Sequence, residues 1–167
     1  MRRFFQYLTM AAGLSTGMVL PACADNAAPA PQAGATASVA ESLKQVKFVT
    51  GTPMADAQYY IYLFSASWCG PCRALMPHIV AQYPAMKEAK VEIILISCDD
   101  SEQAAKEYVE HYKAGIPGAF IKEPAVRQLP GIAMPRTIPS LIIVDAKGKV
   151  VTSGRGSLAL SWKELCK

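Results

Sequence analysis

Two cysteines separated only by Gly70 and Pro71 stand where an apolar run meets a helical pattern. That junction restricts the fold more than any other stretch of the chain. The run is Tyr59-Tyr60-Ile61-Tyr62-Leu63-Phe64, and helical spacing extends from Arg73 to Glu88. A buried strand, a tight turn and a helix start satisfy both patterns. Cysteines three apart at a helix start lie on one face, one turn apart, so their sulfurs can bond. The first of them, Cys69, meets unpaired backbone N–H groups and the positive end of the helix dipole. Both favour thiolate over thiol, and the thiolate is the nucleophile. Pro71 falls in the first turn, where its missing N–H costs little. Gly70 keeps the turn open for another chain to approach. Cys69 and Cys72 therefore read as a redox-active dithiol. Zinc is the first rival, but a tetrahedral site needs two more ligands, and no second Cys-x-x-Cys or His-x-x-x-His is present. A purely structural disulfide is the second, though so small a loop constrains little of the unfolded chain.

The chain of 167 residues is long enough for one domain with a substantial core and an N-terminal extension. Its formal net charge is +4, and loss of Arg2 and Arg3 with a leader would lower that by two, to +2. So mild a balance, with no basic stripe, argues against nucleic acid as a partner. The cysteine count is five, an odd number, so Cys23, Cys98 and Cys166 need separate accounts.

Residues 1–24 read as an export signal. Met1-Arg2-Arg3 is a short basic start, and Leu8 to Leu20 is apolar with several small residues. The apolar run is shorter than the ~20 residues of a spanning helix. Leu20-Pro21-Ala22-Cys23 resembles the lipobox of bacterial lipoproteins, with proline at a place usually held by a small or hydroxyl residue. That match would make Cys23 the lipidated first residue. Ala22-Cys23-Ala24 instead offers cleavage before Asp25 and a released protein, and an uncleaved leader anchor is the third outcome. Residues 25–40 are rich in Ala and Pro with almost no charge, and read as a flexible linker. The folded domain is expected over 41–167.

Within it, Glu41 to Phe48 is ambiguous, with Val46, Phe48 and Val49 able to make an edge strand. After the motif, Leu75, Ile79, Val80 and Tyr83 recur at helical spacing; Pro77 should kink that helix and Pro84 should bend or end it. His78 and His111 read as solvated or packed helix residues. Val91 to Ser97 is a second buried strand, with Cys98-Asp99-Asp100 at its C-terminal end. Asp100 with Gln103 suggests a capping box for a helix through Tyr112. Ile116 to Pro135 holds four prolines and two glycines and looks irregular, apart from a helical hint at Val126–Leu129. Leu141 to Asp145 is a third buried strand, and Lys149 to Ser153 returns as its hairpin partner, broken by Gly154-Arg155-Gly156. Ser157 to Cys166 suits a closing helix. The fold class is α/β, a mixed sheet with a parallel core, an antiparallel edge hairpin and helices on both faces. Ligands of such sheets gather beyond strand C-terminal ends, where Cys69 and the Cys98-Asp99 pair both fall.

With Trp68-Cys69-Gly70-Pro71-Cys72 set between strand and helix, the chain from about Phe48 to Lys163 resembles the thioredoxin superfamily. Phe64 to Cys69, Cys72-Arg73 and Ile93 to Asp100 are most similar to its tryparedoxin and nucleoredoxin branch. That branch often has Pro-Pro between the cysteines; Gly70-Pro71 is the thioredoxin version. The resemblance implies a thioredoxin-like fold, Cys69 as attacking nucleophile and Cys72 as resolving thiol. It also implies that Ile138-Pro139 is the family's cis-proline site, where the backbone of residue 138 could hydrogen-bond an extended substrate. Trp68, Gly70, Pro71, Ile138 and Pro139 would then shape the approach to the dithiol. Many thioredoxins carry a buried carboxylate six residues before the first cysteine, and Leu63 stands there instead. Asp99 is the candidate proton acceptor in its place.

The function expected is thiol–disulfide exchange, reducing disulfides of envelope proteins, with no cofactor beyond the redox-active disulfide and no metal. A reductase in an oxidising bacterial periplasm needs electrons from a membrane thiol donor, which is inferred as a partner. A disulfide oxidase or isomerase is the rival within redox chemistry. A tethered binding module with an incidental dithiol, and a thiol peroxidase, are rivals from other classes. Cys98 reads as a packed small hydrophobe. Cys166 could be free, paired with Cys98, or paired between chains.

Overall fold

The computed structural model describes residues 38–167, so the leader, Cys23 and most of the Ala/Pro-rich stretch lie outside the described residues. In chain order the elements are α1 (Val39–Leu43), β1 (Phe48–Thr50), β2 (Tyr59–Ser65), α2 (Gly70–Glu88), β3 (Val91–Ser97) and α3 (Glu102–His111). Then come β4 (Gly118–Phe120), β5 (Ser140–Asp145), β6 (Val150–Arg155) and α4 (Trp162–Leu165). Two 3₁₀ segments, Pro124–Gln128 and Gly156–Ser161, lie between them.

The six strands form one sheet in the order β1-β4-β3-β2-β5-β6. β2, β3 and β4 are parallel, and β1, β5 and β6 join antiparallel. The α/β class with a parallel core and an antiparallel edge hairpin is what the sequence led us to expect. β2 and β3 are buried on both faces, which is why they read as continuous apolar runs. Ile61, Leu63, Ile93, Leu95, Leu141 and Ile143 pack beneath α2, α3 and Trp162 of α4. Tyr60, Tyr62, Phe64, Ile94, Ile96, Ile142 and Val144 pack on the other face against Val39 and Leu43 of α1 and against Val126 and Leu129. The two crossovers from β2 to β3 and from β3 to β4 step the same way, so right-handed connections put α2 and α3 on one face. The second face is covered by much shorter pieces.

Several local expectations are corrected. Residues 38–40, read as linker, begin α1: Ser38 caps it, accepting the Glu41 N–H, and Val39 is fully buried. Ser101, not Asp100, caps α3, accepting the Ala104 N–H at 3.1 Å, while the Gln103 side chain donates to Glu107 instead. Pro84 neither ends nor interrupts α2, which continues to Glu88. The irregular stretch 116–135 hides β4, whose three residues bridge β3 and β1. A Cβ on Gly118 would lie 2.8 Å from Thr50 Oγ1 and from Val109 Cγ2, so this strand needs glycine where it passes α3. β6 runs through Gly154 and Arg155 rather than stopping before them. The closing segment is a 3₁₀ turn with a single α-helical turn after it.

Candidate active site

The parallel strands place the C-terminal ends of β2, β3 and β4 together. β2 ends at Ser65, and Cys69 follows as the N-cap of α2. Its sulfur accepts the Cys72 backbone N–H at 3.3 Å. A sulfur thus fills the place that Ser, Thr or Asp usually takes at a helix start. When the pair is reduced, that N–H and the helix dipole stabilise negative charge on Cys69. Cys69 and Cys72 are joined as a disulfide, with Cα atoms 5.2 Å apart. Cys69 is 6% exposed and Cys72 is 1% exposed, so only the first sulfur meets an outside partner.

The expected neighbours divide into those around the opening and one beneath it. Trp68 is 62% exposed beside Cys69. Gly70 and Pro71 are exposed, and a Cβ on Gly70 would touch nothing. Within this chain, nothing packs against that position. The Ile138-Pro139 peptide bond is cis, and the Ile138 carbonyl oxygen lies 3.9 Å from Cys69 Sγ. Gly156 N–H donates to the Pro139 carbonyl at 2.9 Å and ties that loop to the end of β6. A side chain at 156 would press within 2.7 Å of the Pro139 ring.

Asp99 lies beneath, 2% exposed. It accepts hydrogen bonds from the Ser67 hydroxyl at 2.6 Å, the Ser67 backbone N–H at 3.1 Å and the Ser97 hydroxyl at 2.7 Å. None of its described hydrogen bonds goes to either motif cysteine. Its carboxylate anchors the residues that lead into Cys69. Leu63, where many thioredoxins hold a carboxylate, is 1% exposed among apolar neighbours.

Cys98 packs against Ala66, Cys69 and Cys72. Burial first, and then the nearby Asp99 charge, push its thiol up to about 11, so it stays protonated near neutrality. Cys166 is pushed up to about 11 by burial alone. These two thiols lie at opposite ends of β2. Cys98 N–H donates to Ser65 at one end, and Tyr59 OH donates to the Lys167 carbonyl at the other. A strand of seven residues spans roughly 20 Å, so a Cys98–Cys166 disulfide is ruled out. His78 and His111 are exposed on their helices, outside the site.

Sequence reasoning passed over Ser67 and Ser97, although their positions around Asp99 at two strand ends were a usable signal. It also passed over Arg136 and Arg155, which line cavities beside Pro139. Arg136 was marked only by lying three residues before Pro139, and Arg155 carried no local signal.

A family model described as thioredoxin-like matches residues 56–150, more than half of the chain. The chain belongs to the thioredoxin-like family. Its relatives within that family include nucleoredoxin of Xenopus laevis, 38% identical over 101 residues, which are 58% of this chain and 24% of nucleoredoxin. The thiol-disulfide oxidoreductase ResA of Bacillus thuringiensis subsp. konkukian is 32% identical over 93 residues, covering 56% of this chain and 52% of ResA. The chain therefore spans about half, or less, of the curated relatives it matches. Among solved structures, tryparedoxin II of C. fasciculata superposes with a TM-score of 0.57 at 28% identity, covering 75% of this chain and 91% of that one. Nucleoredoxin and tryparedoxin are the branch that the strand-end residues resemble.

Proposed function

We propose that this protein is a thiol–disulfide oxidoreductase that reduces disulfides of envelope proteins through Cys69 and Cys72. One observation carries the reading: the Cys69 sulfur caps α2, accepts the Cys72 N–H, and lies 3.9 Å from the carbonyl oxygen before a cis-proline. A thiolate source and a backbone acceptor for an extended chain thus stand side by side. The name and likeness of ResA support the same chemistry.

In the reduced protein, Cys69 thiolate attacks one sulfur of the substrate disulfide. A Cys69–substrate bond forms, and the other substrate sulfur leaves as thiolate. Cys72 then attacks Cys69 Sγ, closing the intramolecular disulfide and releasing the second substrate sulfur. Two electrons pass to the substrate, and solvent supplies its two protons. Burial of Cys72 confines it to this second step. Trp68, Gly70, Pro71, Ile138 and Pro139 frame the substrate. Asp99 acts as a positioning residue, holding Ser67 and with it the turn into Cys69. No cofactor is needed beyond the disulfide itself; a dithiol protein of the membrane returns the electrons.

Export is supported by the basic start and apolar run of residues 1–24, and tethering by the lipobox-like Leu20–Cys23. Mass spectrometry of the membrane fraction should find a lipid adduct on Cys23, whereas a soluble form beginning at Asp25 rejects the tether. The function itself is tested with a Cys72→Ser variant, which should accumulate mixed disulfides between Cys69 and envelope proteins. A reduction potential near the oxidising extreme of about −120 mV, rather than near the −270 mV of reducing members, would reverse the direction assigned.

A further inference from the structure

Two cavities open on the β5–β6 flank of the dithiol. The smaller, of about 360 Å³, lies between Pro71 of the motif and Ile138, Pro139 and Arg155. The larger, of about 400 Å³, has Phe64 and Leu141 among its lining residues, with the 133–137 loop along one side. Thr137, Pro139 and Arg155 line both, so the two adjoin along the cis-proline loop and together make the groove beside Pro71 of the motif.

The charge in this groove has one sign. Arg136 and Arg155 line the larger cavity, and no carboxylate lines either. The backbone of Arg155 is paired with Ser140, next to Pro139. Both arginines are exposed, and the ion pairs among the described residues are all made by lysines. From Pro124 to Trp162 the sequence contains Arg127, Arg136, Lys147, Lys149 and Arg155 but a single carboxylate, Asp145. Asp145 Oδ1 is already engaged by the Lys147 and Lys149 N–H groups of the hairpin turn. On the β3 flank of the dithiol stand Asp99 and the exposed Asp100 instead. That flank also carries a cation, since Lys122 Nζ donates to the Asp100 carbonyl at 3.2 Å, so the cavities on the β5–β6 side differ in having arginines and no carboxylate among their lining residues.

We propose that the groove receives an extended segment of the substrate protein bearing an acidic side chain beside its disulfide cysteine. Guanidinium groups read carboxylates in a planar, two-pronged geometry, and an apolar lining accepts the neighbouring side chain. This specificity rests on the reading that Cys69 exchanges with protein disulfides. It adds Arg136 and Arg155 as the residues that choose among them.

The test uses peptides that differ only in Glu, Gln or Lys beside the cysteine. As disulfides, they are assayed for kcat/KM with the reduced full chain. As cysteine-free Ser versions, they are assayed for binding to the oxidised protein by fluorescence polarisation, a readout that needs no exchange. Both assays should rank Glu above Gln by up to about fivefold, and Gln above Lys, the range of exposed charge pairs. In the Arg136→Gln/Arg155→Gln variant the Glu-to-Gln ratio should fall to about one, while Arg155→Lys with Arg136 intact retains part of it. Equal binding of Glu and Gln peptides overturns the proposal, as does a preference that survives the double substitution. So does a stronger arginine dependence for glutathione disulfide than for any peptide, because the groove would then serve a small anionic disulfide. Intact binding preference with no exchange supports the groove and rejects the redox reading instead.

Discussion

The two ends of the sheet bury the same kinds of residue and use them differently. Each end has a carboxylate that is almost wholly buried, Asp99 at the C-terminal end of β3 and Glu92 at its N-terminal end. Each has a half-buried free thiol, Cys98 or Cys166. At the N-terminal end, Glu92 accepts the Tyr83 hydroxyl at 2.9 Å and the Met54 and Ile93 N–H groups at 2.7 and 3.0 Å. It pins a loop and α2 to the sheet. At the C-terminal end, Asp99 pins the turn that carries Cys69. Residue type and burial are matched; what differs is whether the anchored backbone leads to a reactive sulfur. In this chain both buried carboxylates hold backbone, and only the one at the C-terminal end holds backbone that leads to the dithiol.

The largest effect should come from substituting one sulfur at each end. Cys69→Ser should lower disulfide reduction by roughly 10³-fold or more, because the nucleophile is gone, while Cys166→Ser should leave the rate within about twofold. An insulin or peptide-disulfide assay decides it, and comparable losses in both would break the division between the ends. Next come the thiols themselves. With Cys98 and Cys166 each pushed up to about 11, both should alkylate at pH 8 roughly 100-fold more slowly than a thiol of ordinary pKa. Reduced Cys69 should alkylate first, as mass-resolved labelling with iodoacetamide would show.

Glu92→Ala leaves the Met54 N–H and the Tyr83 hydroxyl without their partner, and should cost about 2–3 kcal/mol in urea unfolding. Activity per folded molecule should not change. Burial holds the Glu92 carboxyl above its ordinary 4.5. The folded state therefore keeps this proton to higher pH than the unfolded chain does. That contribution to stability is full below pH 4.5 and is lost as pH rises through the folded value. In Glu92→Gln this loss should disappear from the urea midpoint measured between pH 4 and 8. The smallest effect expected is that of Asp99→Asn. It weakens the anchoring of Ser67 and should lower kcat/KM by about tenfold without reshaping the pH–rate profile. Loss of one limb of that profile would instead make Asp99 the proton acceptor for Cys72, and would sharpen the contrast with Glu92.

Legibility in the sequence followed element length. β2, β3 and α2 could be read because each is long enough to show its own period or apolar run. β4 could not, because three residues, Gly118-Ala119-Phe120, show no alternation. They form a strand only because β3 and β1 supply hydrogen bonds on either side. α1 was hidden for a related reason: five residues are marginal as an isolated helix, and Val39 and Leu43 gain their burial from the sheet. The cap of α3 is not legible locally because Asp100 and Ser101 are both good capping residues in adjacent positions, and only the approach of the chain from β3 selects one.

By itself the sequence determined the dithiol, the strand before it and the helix after it, because those depend on neighbours a few residues apart. It determined the class of sheet as well, through the order of apolar runs. Only the tertiary structure decided that Asp99 holds Ser67, that Cys98 touches the dithiol, that Cys166 lies a strand's length away, and that Arg136 and Arg155 line one groove. Those relations join residues tens of positions apart. They are fixed by strand order and register, which local pattern constrains but does not specify.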